Sequence, residues 1–506
     1  MAIFEMVLAL LLGAALLSMV ARSLAVPYPT LLALGGMALA LVPGLPHIAL
    51  PPDLILAVFV APVLLDAAHD MSFRDLKRSW RPVLSLIVVA VGLTTAAVAV
   101  TARFFLPDMP WAAAIALGAL LAPPDAVAAL AVMRQVAPPH RIRTVLEGES
   151  LLNDASSLLV YRLAVGAVAT GGLSAAEAAP TFLLVAFGSV VAGWAMAKLA
   201  SDLLRRVSDA PTATILQFVT TFSVWLIAAR LHLSEVVTVV SFGITAARGS
   251  TLAMPADVRV SSFATWGTVT FLLNVLAFTL IGLQLRPILQ TLEGRQSATW
   301  LGFALAILVV VIAVRLAWVM FYGTLHREDP SMPGAMTRME AMKAALVVGW
   351  SGMRGIVTLA AALALPEGFP YRSFILLTAF TVVLGTLVLQ GLTLKPLVAW
   401  LQFKQDHIIE KELALARAAA LKAVITALSE EEGPAAERLR LEYTAKLEEA
   451  GAGRDPHGSS DTLLRSQVIP YARRAIDALR DNGRIGDDAY RQVEQELDWL
   501  ELSTRA

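Results

Sequence analysis

The sequence predicts an all-α membrane protein with about 13 transmembrane helices, two inverted repeats with broken crossing helices, and a helical cytosolic C-terminal tail. Three observations carry that prediction. Of the 506 residues, 57% are hydrophobic and 16% charged, and the mean hydropathy is +0.69, which leaves too little polar surface for an ordinary water-soluble globule. The charge is also uneven: residues 403–506 hold 35 of the 80 Lys, Arg, Asp and Glu side chains, so a transmembrane domain over 1–402 precedes a soluble tail over 403–506. Finally, two apolar segments at corresponding places in the two halves of the chain are interrupted, one by prolines and one by glycines. That is the sequence pointer to an inverted-repeat transporter with its site at the bilayer midplane.

Apolar stretches of spanning length, about 20 residues each, fall at 3–22, 28–46, 53–69, 83–106, 111–134, 144–170, 180–203, 211–230, 234–248, 263–285, 299–323, 342–365 and 373–398. The first, MAIFEMVLALLLGAALLSMVARSLAV, lacks the basic start of a signal peptide and reads as a retained helix. Counted over alternate loops, one set holds 15 Lys and Arg, among them Lys77, Arg81, Arg141 and Arg338, and the other holds 5. Basic residues near helix ends favour the cytoplasm, so the N-terminus is expected outside and the tail inside, which agrees with an odd number of spans. In the tail, 403–450 and 461–503 read as amphipathic helical runs separated by AGAGRDPHGSSD.

Composition also excludes. The formal net charge is zero, and no basic run or zinc-ligand spacing gives a footprint for nucleic acid. With no cysteine at all, disulfides, thiolate metal sites and thiol nucleophiles drop out. No Walker-type phosphate loop is present, and no resident cofactor is expected.

Ionisable groups inside spans are costly and mark functional sites by default. In the fifth segment, GALLAPPDAVAALAVM sets Pro123 and Pro124 directly before Asp125. The prolines leave the carbonyls of Ala119 and Leu120 without their i+4 donors and unwind the helix at membrane depth. The broken backbone at Pro124 and the Asp125 carboxylate suit a small cation, with a structural kink capped by Asp as the alternative. The sixth segment, LEGESLLNDASSLLVYRLAV, carries Glu147, Glu149, Ser150, Asn153 and Asp154. Ser150 lies one turn before Asp154 on a shared face, while Asn153 points about 100° away. Hydroxyl and carboxylate oxygens form a hard-cation set that suits sodium, and a buried structural network is the competing view. Asp66, after Pro62 in the third segment, is either a third oxygen donor or an interfacial residue, and His69 reads as a solvated helix end. In the twelfth, VVGWSGMRGIVTLAAALALP places Gly349, Gly352 and Gly355 around Arg354, a second break to match that at Pro123. The lone cation Arg315 in the eleventh needs a partner, Glu149 first and Glu147 second. In FLLNVLAFTLIGLQL, the i+4 spacing of Asn274, Phe278 and Gly282 reads as packing through the small residue.

PPDAVA, EGESLLNDASSLLVYR, FLLNVLAFTLIGL and GWSGMRGIVTLAAALALP occur here in one order. In these motifs, and over almost its whole length, the chain resembles the sodium/proton exchanger side of the monovalent cation/proton antiporter superfamily, in its bacterial NhaP-like branch; the tail's IGDDAYRQVEQELDWLE is similar too. The resemblance implies that Asp154 carries the cation or the proton, that Ser150 is a ligand, and that Asp125 is a ligand or orients the helix. It also implies that Glu149 and Arg315 form a buried structural pair, that a core bundle moves against a scaffold in a homodimer, and that Asn153 beside Asp154 goes with electroneutral exchange. Asp66 stands where many relatives carry Glu, and proline stands where many have Thr before Asp125, so sodium against potassium is open.

The expected function is therefore secondary antiport of sodium, potassium or lithium against protons across the cell membrane. Burial favours the neutral form of a carboxylic acid and a nearby cation favours the ionised form, so cations and protons compete for one site. A channel would need a selectivity-filter loop that is not visible. An intramembrane aspartyl protease could use Asp125 and Asp154 as paired carboxylates, but no Gly-x-Gly-Asp or Tyr-Asp motif sits in a span.

Overall fold

The computed structural model describes residues 2–24, 26–43, 51–133, 135–136, 138–170, 175–207, 209–250, 256–290, 296–325, 337–403, 408–451, 460–482, 493, 496–497 and 499–500. Two compact units divide the chain, Met1–Lys404 and Gln405–Ala506. Among the described residues all regular structure is helical.

The first unit opens with α1 (Ala2–Ser23) and α2 (Tyr28–Ala40), α3 (Pro52–Asp70), the short α4 (Phe73–Arg78) and α5 (Trp80–Phe105). Next come α6 (Trp111–Leu121), α7 (Ala126–Met133), α8 (His140–Thr170), α9 (Ala175–Leu204), α10 (Ala210–Arg230) and α11 (Glu235–Ser250). The unit ends with α12 (Ala256–Leu283), α13 (Leu285–Gln290), α14 (Gln296–Leu325), α15 (Arg338–Trp350), α16 (Ile356–Leu363) and α17 (Arg372–Leu401). Each of the thirteen apolar stretches thus holds a helix or a pair of half-helices. Eight of the helices are individually long and apolar enough to cross a membrane, and α1, α2, α6 and α11 contribute shorter apolar runs. The chain is a multi-pass membrane protein.

Local chemistry explains the ends. Asp209 accepts from the Thr212 amide at 2.9 Å to start α10, and Thr337 and Glu340 form a reciprocal capping box that starts α15. Ser72 caps α4 by accepting from the Asp75 amide at 3.3 Å. Proline shapes the interiors. α3 carries a π-helical turn at Leu56–Val60 just before Pro62, and α5 carries one at Ser85–Ala90 just after Pro82. The Pro62 nitrogen lacks the proton that a regular turn would donate to the Val58 carbonyl, inside the first of these turns.

In lipid, helices associate through close packing rather than through a hydrophobic drive. At the tightest crossing Gly36 of α2 faces Gly282 of α12, and a Cβ on either glycine would run into the other helix's backbone. Phe278, one turn before Gly282, is buried and meets the Tyr28 ring edge-on at 6.4 Å.

The tail departs from the sequence expectation. The single run expected over 403–450 is two helices, α18 (Ile408–Ser429) and α19 (Pro434–Gly451). Gly433, at φ +131°, takes a conformation open to glycine, and Pro434 restarts the helix at its first position. The run expected over 461–503 begins as α20 (Ser460–Asp481), and most of its remainder lies outside the described residues.

Candidate cation and proton site

Residues 122–125 separate α6 from α7, and residues 351–355 separate α15 from α16. The two breaks meet. The Asp125 amide donates to the Met353 carbonyl at 2.6 Å, tying one unwound stretch to the other. The Asp125 carboxylate turns back to its own helix and accepts from the Val127 amide at 2.8 Å, capping α7. Gly355 lies against that carboxylate so closely that a Cβ there would overlap it. Glycine at 355 is thus a steric requirement of the crossing.

Several carbonyls at the breaks accept from side chains, Ala119 among the two that the prolines were expected to free. Ala119 accepts from the Ser157 hydroxyl at 2.5 Å, and Pro124 from the Asn153 amide nitrogen at 3.3 Å. Leu121 accepts from Arg354 Nε at 3.0 Å and Ala122 from Arg354 Nη2 at 3.4 Å, while Arg354 Nη1 donates to Gly352. Arg354 is fully buried, and its own amide donates to Thr386 Oγ1 of α17 at 3.0 Å. An unpaired carbonyl in the bilayer interior costs several kcal/mol, which is why the breaks recruit these donors.

Along α8, Asn153 is wholly buried and Asp154 is 8% exposed. Asp154 and Asp125 interact electrostatically, so two carboxylates from different helices share the crossing. Because the Asn153 amide nitrogen is committed to Pro124, its oxygen Oδ1 is the leftover acceptor, buried with no hydrogen-bond partner. Ser150 sits half-buried one turn before Asp154. Ser156 donates to Ile87 O, a carbonyl in the π-helical turn of α5, at 3.2 Å. Asp66 is half-buried on α3, a helix that packs against α8. Among the described residues no three His, Asp or Glu side chains gather as a metal centre. The oxygens at the crossing are carboxylate and amide, with the Ser150 hydroxyl a turn away, a set that suits a hard monovalent ion.

Arg315 of α14 meets Glu149 of α8 in a two-pronged pair, Nη1 to Oε1 at 2.5 Å and Nη2 to Oε2 at 2.8 Å, and Nη2 also reaches the Val348 carbonyl at 3.1 Å. Both side chains are at most 3% exposed. Glu147 instead pairs with Arg143 at 2.7 Å. His69, expected in solvent, is half-buried with its ring 6.1 Å from that of Phe263.

The sequence reading missed two hydrogen-bond partners, the donor Ser157 and the acceptor Thr386. Ser157 could have been found, since it follows Asn153 by one helical turn. Thr386 lies in an uninterrupted apolar helix, and nothing local marks it.

The sodium/hydrogen exchanger transmembrane family model matches residues 7–400. The chain belongs to that family. It is a sodium/proton exchanger of the membrane and not an enzyme, which removes the protease reading. An uncharacterised Na+/H+ exchanger of Mycobacterium tuberculosis is 31% identical, over 94% of this chain and 91% of the relative. A sodium, potassium, lithium and rubidium/H+ antiporter of Bacillus subtilis is 28% identical, over 99% of this exchanger and 78% of the relative. Among solved structures, the sodium proton antiporter MjNhaP1 of Methanocaldococcus jannaschii matches at a TM-score of 0.60, covering 80% of this exchanger and 99% of that chain. At 19% identity the likeness is one of fold.

Proposed function

We propose that this exchanger moves one sodium ion against one proton by alternating access, with the two competing for Asp154. Asp125, Ser150 and the Oδ1 of Asn153 supply further oxygens, and the backbone at Pro124 lines the site. The observation that carries this reading is the meeting of two broken helices at Asp125 and Met353, with Asn153, next to Asp154, donating to Pro124 there and keeping a buried amide oxygen that lacks a partner. An unsatisfied buried acceptor is costly, and a cation bound there would satisfy it. Arg315 is matched by Glu149 in a buried two-pronged pair, so that pair adds no net charge to the site. Asp154 is then the one carboxylate assigned to exchange its load, a monovalent cation or a proton. The working assembly is a homodimer with the N-terminus outside and the tail in the cytoplasm, the orientation favoured by 15 basic residues in one set of loops against 5 in the other. Residues 1–402 transport and the tail from 403 regulates.

A potassium/proton antiporter is the second reading, favoured by the potassium in the printed name of the Bacillus subtilis relative. The test is dye-monitored proton flux in proteoliposomes on addition of sodium, potassium or lithium. Sodium should drive the largest flux, lithium less and potassium least. A potassium response that exceeds sodium would transfer the assignment to potassium.

A further inference from the structure

Between α3, α9, α10, α11 and α12 lies an open cleft. Leu65, Phe242, Phe263 and Trp266 supply apolar wall, and Arg259 supplies a permanent positive charge. Three of the polar groups bond to one another: Trp266 Nε1 donates to Gln217 Oε1 at 2.7 Å, and Gln217 Nε2 to Ser262 Oγ at 3.2 Å; Ser201, Thr220 and Thr221 donate to backbone carbonyls.

The mouth of the cleft decides what can enter. Phe263 is 57% exposed, and exposed Val260, Ile215 and Leu199 continue an apolar surface on α12, α10 and α9. On spanning helices such a surface faces hydrocarbon, so the cleft is reached sideways from the bilayer rather than from water. The lining runs from the last turns of α3 and α9 and the first turns of α12 inward to Thr221 and Phe242, at the middle of α10 and α11. Arg205 and Arg206 follow α9 at that same end, which the orientation proposed above makes cytoplasmic; the sidedness of the inference rests on that reading.

We propose that this cleft binds one anionic phospholipid, its phosphate on the Arg259 guanidinium and an acyl chain along Leu65, Phe242, Phe263 and Trp266. A guanidinium fork matches phosphate oxygens in charge and geometry, and basic pockets between spanning helices on the cytoplasmic side suit anionic headgroups. The occupant touches α3 and α11, both of which pack against α8, the helix of Asp154.

Delipidated full-length protein in detergent is titrated with phosphatidylglycerol or phosphatidylcholine and read by native mass spectrometry. Wild type should bind one phosphatidylglycerol at least about tenfold more tightly than phosphatidylcholine, and Arg259→Gln should lose that preference while Arg259→Lys keeps part of it; tenfold corresponds to about 1.4 kcal/mol. Phosphatidylglycerol brominated on its acyl chain should quench wild type more than Trp266→Phe, which locates the chain. Ala246→Phe, filling the cleft, should remove the adduct altogether. Equal affinity for the two lipids, unchanged binding in both Arg259→Gln and Ala246→Phe, or displacement of the adduct by millimolar inorganic phosphate would overturn the proposal. The assay reads no transport, so failure of the antiport assignment leaves its outcome unaffected.

Discussion

Arg354 of one broken helix donates through Nε to the Leu121 carbonyl of the other at 3.0 Å. The guanidinium also reaches Ala122 and Gly352, so one side chain holds both breaks. Lysine could supply the charge but not the fork of donors. The same cation offsets part of the carboxylate charge gathered around it, which joins the architecture of the crossing to the electrostatics of the site.

Neutralising either member of the Glu149–Arg315 pair leaves a buried charge uncompensated, at a cost on the order of 3–5 kcal/mol. Glu149→Gln and Arg315→Ala should each lower the melting temperature of the solubilised protein markedly, and the charge swap should recover part of the loss. An Arg315→Ala variant as stable as the parent would show that the 2.5 and 2.8 Å contacts contribute nothing to stability.

Asp154→Asn keeps the shape of the side chain but removes its titrating charge. Sodium-driven proton flux should vanish while the melting temperature stays near that of wild type. Asp125→Asn should be severely impaired as well, because it weakens both the site and the cap on the Val127 amide, a 2.8 Å bond. Asp66→Asn should be milder. Full flux in both Asp154→Asn and Asp125→Asn would move the site elsewhere.

Gly355→Ala inserts a methyl group where the Asp125 carboxylate lies. The half-helices must separate or the carboxylate must turn away, and either displaces the site. Flux should fall at least about tenfold, the equivalent of about 1.4 kcal/mol, with the protein still folded. Wild-type flux would mean that the crossing relaxes at no cost.

Gln390 of α17 is fully buried, and both polar atoms of its amide lack hydrogen-bond partners. Leaving such a group unsatisfied costs about 1–3 kcal/mol, whereas an apolar side chain of similar size has no such requirement. Gln390→Leu should therefore melt at or above the wild-type temperature. A clear drop would show that the amide is engaged by something that stabilises the fold.

The spans and both breaks were legible because bilayer thickness fixes helix length and because Pro123, Pro124 and Gly352 cannot continue a regular helix. The pairing of Arg315 with Glu149 was legible too, since a lone buried cation must be matched. What local sequence could not reveal was which side chains satisfy the backbone at the breaks. Ser157 and Arg354 donate to carbonyls and Thr386 accepts from an amide, 32 to 233 positions away, and only the packed fold brings them there. Asp66 stayed ambiguous because its type and position fit a ligand as well as an interfacial residue, and local sequence does not separate the two. The tail break at Gly433 was in view as a Gly-Pro pair, but the helical periodicity on both sides outweighed it.

The last expectation concerns stoichiometry. Asn153 stands beside Asp154 and commits its nitrogen to Pro124, so it adds an oxygen to the site but no titrating charge. With Asp154 as the one carboxylate that exchanges its load, a site loaded with one sodium and a site loaded with one proton carry the same net charge. Turnover should then be indifferent to membrane potential. Moving one elementary charge through 100 mV is worth about 2.3 kcal/mol, ample to expose any imbalance. Sodium and pH gradients would be set in proteoliposomes, the potential clamped with potassium and valinomycin, and the gradient ratio at zero net flux located. For one-to-one exchange that null lies where the two ratios are equal, at every potential. A null that moves with voltage would require a second proton, and Asp125, as the charged neighbour of Asp154, would be the group to carry it.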